Sequence, residues 1–346
     1  MDNAKIMDKK PVTAAADWLD AALTKLRGHG VNAHVVEREA KLGRTRADAL
    51  VEIEYGGQKT TYAAELRRGL RPNNLGAVLH QLERLGEQAL LVADFVNPVI
   101  ADQLRVQRVA FVDLAGNAYL EQPPLLVWVK GQRLAEALPR AARGGLAFQG
   151  GGLQVLFVLL CHPEWADAPY RKLAQYAGVA HGTVGGVMAE LVKLGYVATV
   201  AGKRRLLQRE RLLQQWAEAY PRALRPRLLL GRYRADTLEW WNSLDPTNYG
   251  MVLGGEPAAG RMTQYLRPGA ATFYAEAIEP RLLIDLRLRN DPDGNVDVLR
   301  RFWTFDNEDV ALAPAPLVYA DLLATGDARC IETAHMIYDR YLEPGR

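Results

Sequence analysis

The side chains best suited to chemistry in this sequence are three consecutive cations and two polar groups that precede them. Lys203, Arg204 and Arg205 follow a glycine at the predicted tip of a β-hairpin, and His181 and Thr183 stand at the start of a predicted helix. Cations of this kind suit phosphates, because each neutralised phosphate releases condensed counterions. Histidine and threonine can hydrogen-bond base edges or phosphates. The pattern therefore indicates contact with duplex DNA.

The elements that must position these residues form a helix, a turn, a second helix and a hairpin. Apolar spacing predicts three helices and two short strands, over residues 153–161, 168–177, 182–194, 196–200 and 206–208. This order predicts a winged helix-turn-helix whose last helix enters the major groove at its N-terminal end. Arg171 and Lys172, early in the preceding helix, are expected to contact the neighbouring phosphates. Four residues are expected on the buried face of the last helix: Val184, Val187, Leu191 and Leu194.

The distribution of charge along the chain supports a polyanionic partner for the middle segment. Residues 151–236 carry thirteen basic and six acidic side chains, and residues 237–346 carry ten arginines and seventeen acidic side chains. The middle is thus strongly basic and the C-terminal part strongly acidic, although the net charge of the whole chain is only +3. A basic middle favours DNA there, and an acidic tail argues against DNA at the C-terminal end.

A second set of chemically capable residues lies near the start of the chain. Asp48 opens one predicted strand, and Glu65 and Arg67 close the next. A helix, three strands, a helix and a strand is the core order of restriction-endonuclease-like folds, in which two acids hold Mg²⁺ and a lysine supports the attacking water. Arg67 stands where that lysine would be, and a guanidinium binds phosphate but activates water poorly. The alternatives are a solvated or internally paired face, a nuclease scaffold without activity, and an active Mg²⁺-dependent nuclease.

Chain length, composition and the position of a small-residue break predict a cytoplasmic protein of three domains with mixed α/β and α+β folds. We expect a restriction-endonuclease-like domain over residues 1–145, the winged helix-turn-helix over 150–210, and an α+β domain over 211–346, with a small-residue linker at 141–152. No apolar run is long enough for a membrane span. Only two cysteines are present, far apart in sequence, which favours buried reduced thiols over a disulfide or a metal framework. No metal site and no cofactor are expected.

The C-terminal domain contains one further motif. Residues 249–259 look like the strand, Gly-Gly turn and helix that open nucleotidyltransferase domains, where glycines approach a triphosphate. Such enzymes also need an Asp-x-Asp pair, which the following predicted strand at 271–277 does not offer. We therefore expect a partner-binding domain of nucleotidyltransferase-like character, with another strand at 282–288 and a closing helix at 331–342.

Four stretches of the sequence resemble a known family, the AbiEi-type antitoxins of type IV toxin-antitoxin systems, which are transcriptional regulators. The resemblance rests on residues 112–120, 168–196, 216–230 and 317–342, of which the last, with YADLLATGDARCIETA, is the most specific. It implies a winged-helix protein that represses its own operon and opposes a nucleotidyltransferase-like toxin.

Three functions follow from these observations. The favoured one is a sequence-specific transcriptional regulator that binds double-stranded DNA as a homodimer, because one winged helix reads only a short half-site. The rivals are the Mg²⁺-dependent nuclease that uses Asp48 and Glu65, and an interaction protein whose acidic C-terminal part binds a toxin.

Overall fold

The structure is a computed structural model that describes residues 14–43, 45–133 and 145–343. It is a mixed α/β protein with several separate sheets. The chain divides into two compact units, one formed by residues up to 71 and from 81 to 141, the other by residues 72–80 and from 142 onward. The boundary predicted near residue 210 falls within the second unit, inside a helix.

The first unit contains one seven-stranded sheet, a separate two-stranded hairpin of β2 and β3, and helices. Their bounds are α1 Ala14–Gly28, β1 Asn32–Arg38, β2 Lys41–Leu42, β3 Thr45–Arg46, β4 Ala49–Tyr55, β5 Gln58–Arg67, β6 Ala89–Ala93, α3 Pro98–Val106, β7 Ala110–Asp113, β8 Ala118–Gln122 and β9 Leu125–Val129. Helix α2, Pro72–Leu85, contributes residues to both units.

The sheet of the first unit has the strand order β1-β4-β5-β6-β7-β8-β9. Strands β1, β4 and β5 pair antiparallel, and β5, β6 and β7 pair parallel. Helix α1 buries Leu19, Leu23 and Leu26 against alternate strand residues such as Val51, as period-two patterning requires. Strand β8 was not predicted, because the short segment between two turns gives little periodic signal.

The second unit begins with the segment predicted to read DNA. A single helical turn at Leu146–Phe148 leads into α4 Gly150–Cys161, a turn at Pro163–Asp167, α5 Tyr170–Ala177, α6 His181–Lys193, β10 Val197–Val200 and β11 Lys203–Leu206. The predicted linker is wrong for Gly150–Gly152, which start α4. Residues 134–144 lie outside the described residues, and they include the first four residues of the predicted linker, 141–144.

The remaining chain of the second unit builds a five-stranded sheet with helices. The elements are α7 Arg209–Ala223, α8 Arg225–Leu228, β12 Leu229–Arg234, β13 Met251–Gly254, α9 Gly255–Thr263, β14 Ala271–Ala275, α10 Pro280–Asp285, β15 Arg289–Asn290, β16 Val296–Arg300, α11 Ala315–Thr325 and α12 Ala328–Ile337. The strand order is β13-β14-β16-β12-β15. The strand predicted at 282–288 is wrong, because Pro280 at the first helical turn and the Glu279 cap start α10 there.

Candidate nucleic-acid interface

Helices α5 and α6 are joined by a tight turn at Gly178. This residue has a left-handed backbone (φ 62°) and caps α5, as its N–H points at the last carbonyls of that helix. A Cβ at this position would lie 3.0 Å from the backbone oxygen of Phe302, so both backbone conformation and space favour glycine. The turn fixes the direction in which α6 leaves the core.

Helix α6 buries one face and leaves its N-terminal half open on the other. Val184, Val187, Met188 and Leu191 are buried against the core. The prediction that Leu194 belongs to this face is wrong, since it is 49% exposed and Met188 takes that place. Residue 194 lies beyond the last helical turn, so helical spacing no longer governs its direction.

The exposed face of α6 starts with His181 and continues over two glycines. A Cβ at Gly182 or Gly185 would meet nothing within 4 Å, so packing does not account for either glycine. Thr183 is half-buried, and its methyl group lies 3.4 Å from the position of a Cβ on Gly151 in α4. Thr183 thus packs partly inward, whereas His181 is exposed.

The hairpin β10–β11 presents its cations on two different faces. Lys203 pairs with Val200, Arg204 with Thr199 and Arg205 with Ala198. The three cations therefore lie within β11 and not at the tip, which is Ala201–Gly202. Because alternate strand residues point to opposite faces, Lys203 and Arg205 are exposed on one face while Arg204 lies half-buried on the other.

Arg204 makes its contacts within the protein. Its backbone N–H donates to Asp167 Oδ1 (3.0 Å) and its Nη2 donates to the Ala168 carbonyl (2.8 Å). The guanidinium carbon lies 4.5 Å from the centre of the Tyr170 ring, and that ring is 6.4 Å from the ring of His181. Tyr170 thus connects the hairpin with the first turn of α6.

Arg171 and Lys172 are both exposed on the first turn of α5. The Lys172 ammonium lies 5.4 Å from the ring centres of Trp165 and Tyr176. The prediction from sequence missed Tyr170 and Trp165, because an aromatic residue at a helix start has no periodic signature. Two aromatic residues close before a cationic pair were the only signal that could have drawn attention to them.

In the first unit the nuclease-like residues are brought together but are engaged with one another. Asp48 immediately precedes β4, and its Oδ2 accepts from the Leu66 N–H (2.9 Å). Glu65 is buried, and its carboxylate lies 2.5 Å from Arg67 Nη2, which also donates to Gln81. The internally paired face is thus the alternative that the contacts favour, and Gln81 is a member that the sequence did not indicate.

Comparison with known proteins finds one family match for part of the chain. No curated protein matches the chain. Residues 205–343 match a family described as "Transcriptional regulator, AbiEi antitoxin, Type IV TA system". The C-terminal part resembles this family. The match confirms the resemblance for that part, which covers β11 from Arg205 onward and the elements that follow, and the family's description names regulation and antitoxin action. Among the described helices of the chain, none is both long and apolar enough to cross a membrane.

Proposed function

We propose that this protein is a sequence-specific DNA-binding transcriptional regulator that reads duplex DNA through α4–α6 and the hairpin β10–β11, acting together as a winged helix-turn-helix. The observation that carries the proposal is the open N-terminal half of α6 beside a hairpin that exposes Lys203 and Arg205. In this half, His181 and Gly182 are exposed and Gly185 is half-buried with open space at its Cβ position. The first-turn N–H groups of α6 add donors for phosphate, since Ala180 gives them no side-chain cap.

The exposure of each side chain indicates which part of the DNA it contacts. His181 contacts base edges, and the small residues of α6 let its backbone approach the groove closely. Thr183 contributes a hydroxyl at the same turn. Lys203 and Arg205 contact phosphates or the minor groove, together with Arg171 and Lys172 on α5.

The regulator also acts as the antitoxin of a type IV toxin-antitoxin system. The family match over residues 205–343 supports this role, and the acidic balance of residues 237–346 supports a protein partner there instead of DNA. The partner is a nucleotidyltransferase-like toxin, as the family resemblance implies.

The first unit serves as a restriction-endonuclease-like domain without catalysis. Three antiparallel strands, a helix and a strand parallel to the third support this fold. The Glu65–Arg67 ion pair supports its inactivity, because the guanidinium holds a carboxylate that a metal ion would need.

The experiment that tests the proposed function is selection of bound duplexes from a random library, followed by footprinting on the enriched sequence. A regulator enriches one motif and protects it, and His181→Ala relaxes the preference at one or two positions while leaving total binding to unselected DNA unchanged. Recovery of no motif above the library background would contradict sequence-specific reading.

A further inference from the structure

Two histidines lie side by side in the second unit, where the first part of α2 packs on α11 and α12. His80 belongs to α2 and His335 to α12, and one imidazole nitrogen of each lies within 4.8 Å of the other. The two ring centres are 4.1 Å apart, and the ring planes differ by 33°. Imidazole nitrogens brought together in this way are potential ligands of a transition metal ion.

The backbone packing of α2 fixes this juxtaposition. Gly76 lies one helical turn before His80, and a Cβ there would be only 2.5 Å from the Leu323 carbonyl oxygen and 3.4 Å from side-chain atoms of Ile331. A larger residue would therefore force α2 away from α11 and α12. The distance between His80 and His335 thus depends on a close helix contact, and not on two flexible side chains alone.

Two tyrosines hold the ring of His80 in place. His80 is 3% exposed, and its ring meets Tyr319 of α11 and Tyr338, which follows α12, edge to face at 5.7 Å and 5.5 Å between ring centres. Contacts of this kind restrict the rotation of the imidazole. A ligand that is already oriented loses little conformational entropy when an ion binds.

A carboxylate stands on the same side of α2. Glu83 follows His80 by three residues in one continuous helix, so both side chains lie on the same face, and a carboxylate oxygen of Glu83 lies within 4.8 Å of the His80 ligand nitrogen. His80 is buried, His335 half-buried and Glu83 exposed. The cluster therefore opens to solvent beside Glu83, which gives an ion a path of entry.

The donor set selects the kind of ion. Two imidazoles and one carboxylate suit Zn²⁺ and similar transition ions, whereas Mg²⁺ and Ca²⁺ prefer oxygen ligands. At a metal–nitrogen distance of about 2.1 Å, two nitrogens on one ion lie about 3–3.5 Å apart, so small side-chain rotations bring His80 and His335 into range. Arg84, four residues after His80, places a positive charge on this side of α2 and keeps the affinity below that of a four-ligand structural site.

We propose that His80, Glu83 and His335 bind one Zn²⁺ ion, with water in the fourth position. The ion links α2 to α12 and so stabilises the second unit. The spacing of residues in the sequence does not indicate this site, because its histidines come from helices far apart along the chain. The site is separate from the proposed DNA-binding residues, so its test does not depend on DNA binding.

Calorimetric titration of the untagged full chain with ZnCl₂ tests the proposal, after treatment with a chelator and dialysis into a buffer that does not bind Zn²⁺. One ion binds per chain, with a Kd of about 10 µM or below. At a free Zn²⁺ concentration of about one hundred times the Kd, the midpoint of thermal unfolding rises by roughly 5 °C. MgCl₂ at the same concentration produces neither effect.

Two substitutions and a control locate the site. His335→Ala weakens Zn²⁺ binding about a hundredfold and Glu83→Gln about tenfold or more, and both reduce the rise in the unfolding midpoint. His29→Ala is the matched control, because His29 is exposed in the first unit, where its ring contacts the Gly116 carbonyl oxygen. This variant keeps the parental Kd and the parental rise.

Absence of Zn²⁺ binding to the parent overturns the proposal. So does a parental Kd in either His335→Ala or Glu83→Gln, which would place the ion elsewhere on the protein. If His335→Ala does not fold, as judged by circular dichroism, the exposed substitution Glu83→Gln decides by the same criterion.

Discussion

Arg204 illustrates how a cation next to a proposed DNA-binding surface can stabilise the protein's own fold. Its guanidinium spans from the Ala168 carbonyl to the face of Tyr170, so it holds β11 against the start of α5. Lys203 and Arg205, one residue away on either side, have their side chains in solvent. Because side chains alternate along a strand, Arg204 stabilises the fold, whereas Lys203 and Arg205 remain accessible to a binding partner.

This division predicts that Arg204→Lys and Arg204→Ala destabilise the protein by similar amounts. Both variants lose the planar contacts of the guanidinium, which lowers the free energy of unfolding by about 1–2 kcal/mol. Urea unfolding of the full chain measures the change, with Arg205→Ala as the exposed control that changes it by less than about 0.5 kcal/mol. A fully stable Arg204→Lys protein would contradict the structural role.

The ion pair of Glu65 and Arg67 predicts that the purified protein does not cleave DNA with Mg²⁺ or Mn²⁺. Loss of a positioned ammonium costs several kcal/mol of transition-state stabilisation, roughly a thousandfold or more in rate. The assay is nicking of supercoiled plasmid, with Asp48→Ala and Glu65→Ala to identify contaminating nuclease. Cleavage by the parent that both substitutions abolish would establish a nuclease, whereas activity that survives both is contamination.

At the scale of elements, α6 combines a buried apolar face with an open face that is poor in side chains. Glycine costs a helix interior about 1 kcal/mol relative to alanine, and neither Gly182 nor Gly185 is required by packing. These glycines lower the stability of the helix although packing does not require them. Glycines of this kind are expected where another molecule approaches the backbone.

Gly182→Ala and Gly185→Ala should therefore stabilise the protein and weaken its binding to DNA. Gly185→Ala, which lies in the helix interior, raises the free energy of unfolding by up to about 1 kcal/mol, while each added methyl group reduces affinity for the selected duplex about tenfold or more by steric exclusion from the groove. Thermal unfolding and fluorescence anisotropy measure the two effects. Stabilised variants with parental affinity would show that this face of α6 does not contact DNA.

Sequence patterns predicted those elements whose own periodicity determines their type. Helices α5 and α6 and the hairpin β10–β11 lie where apolar spacing predicts them, to within a few residues. Residues 282–288 were wrongly assigned to a strand, because a short apolar run suits a strand or a helix equally. The Gly-rich start of α4 likewise has the composition of a linker, although it is helical.

The spacing of residues in the sequence could not predict which side chains contact one another in the site. The cations of the hairpin were predicted as one group, and only the register of β11 divides them. The Arg67–Glu65 contact and the bond from Arg67 to Gln81 in α2 depend on tertiary packing, which no local pattern contains.

At the scale of the whole molecule, the chain separates charge by segment. The basic middle and the acidic C-terminal part are consistent with the proposed DNA and protein partners, each on a different stretch of the chain. Since one winged helix reads a short half-site, the molecule is expected to act as a dimer on an inverted repeat.

The dimer predicts two chains on each duplex that carries two half-sites about ten base pairs apart. Light scattering of the complex gives this stoichiometry directly, and a duplex with a single half-site serves as the control with weaker binding. One chain on the full repeat would exclude the dimeric arrangement and leave half-site reading intact.

The central claim is that the hairpin and α6 hold DNA, and the salt dependence of binding tests it most directly. Fluorescence anisotropy of a labelled duplex over a series of salt concentrations gives the slope of log K against log salt for the parent, for Lys203→Ala/Arg205→Ala and for the control Arg267→Ala/Arg281→Ala. The hairpin variant binds all duplexes more weakly and loses about two units of slope, near 0.9 for each phosphate contact removed. The control, which removes two exposed cations outside this interface, keeps the parental slope. An unchanged slope and affinity in the hairpin variant, or an equal loss in the control, would contradict the account.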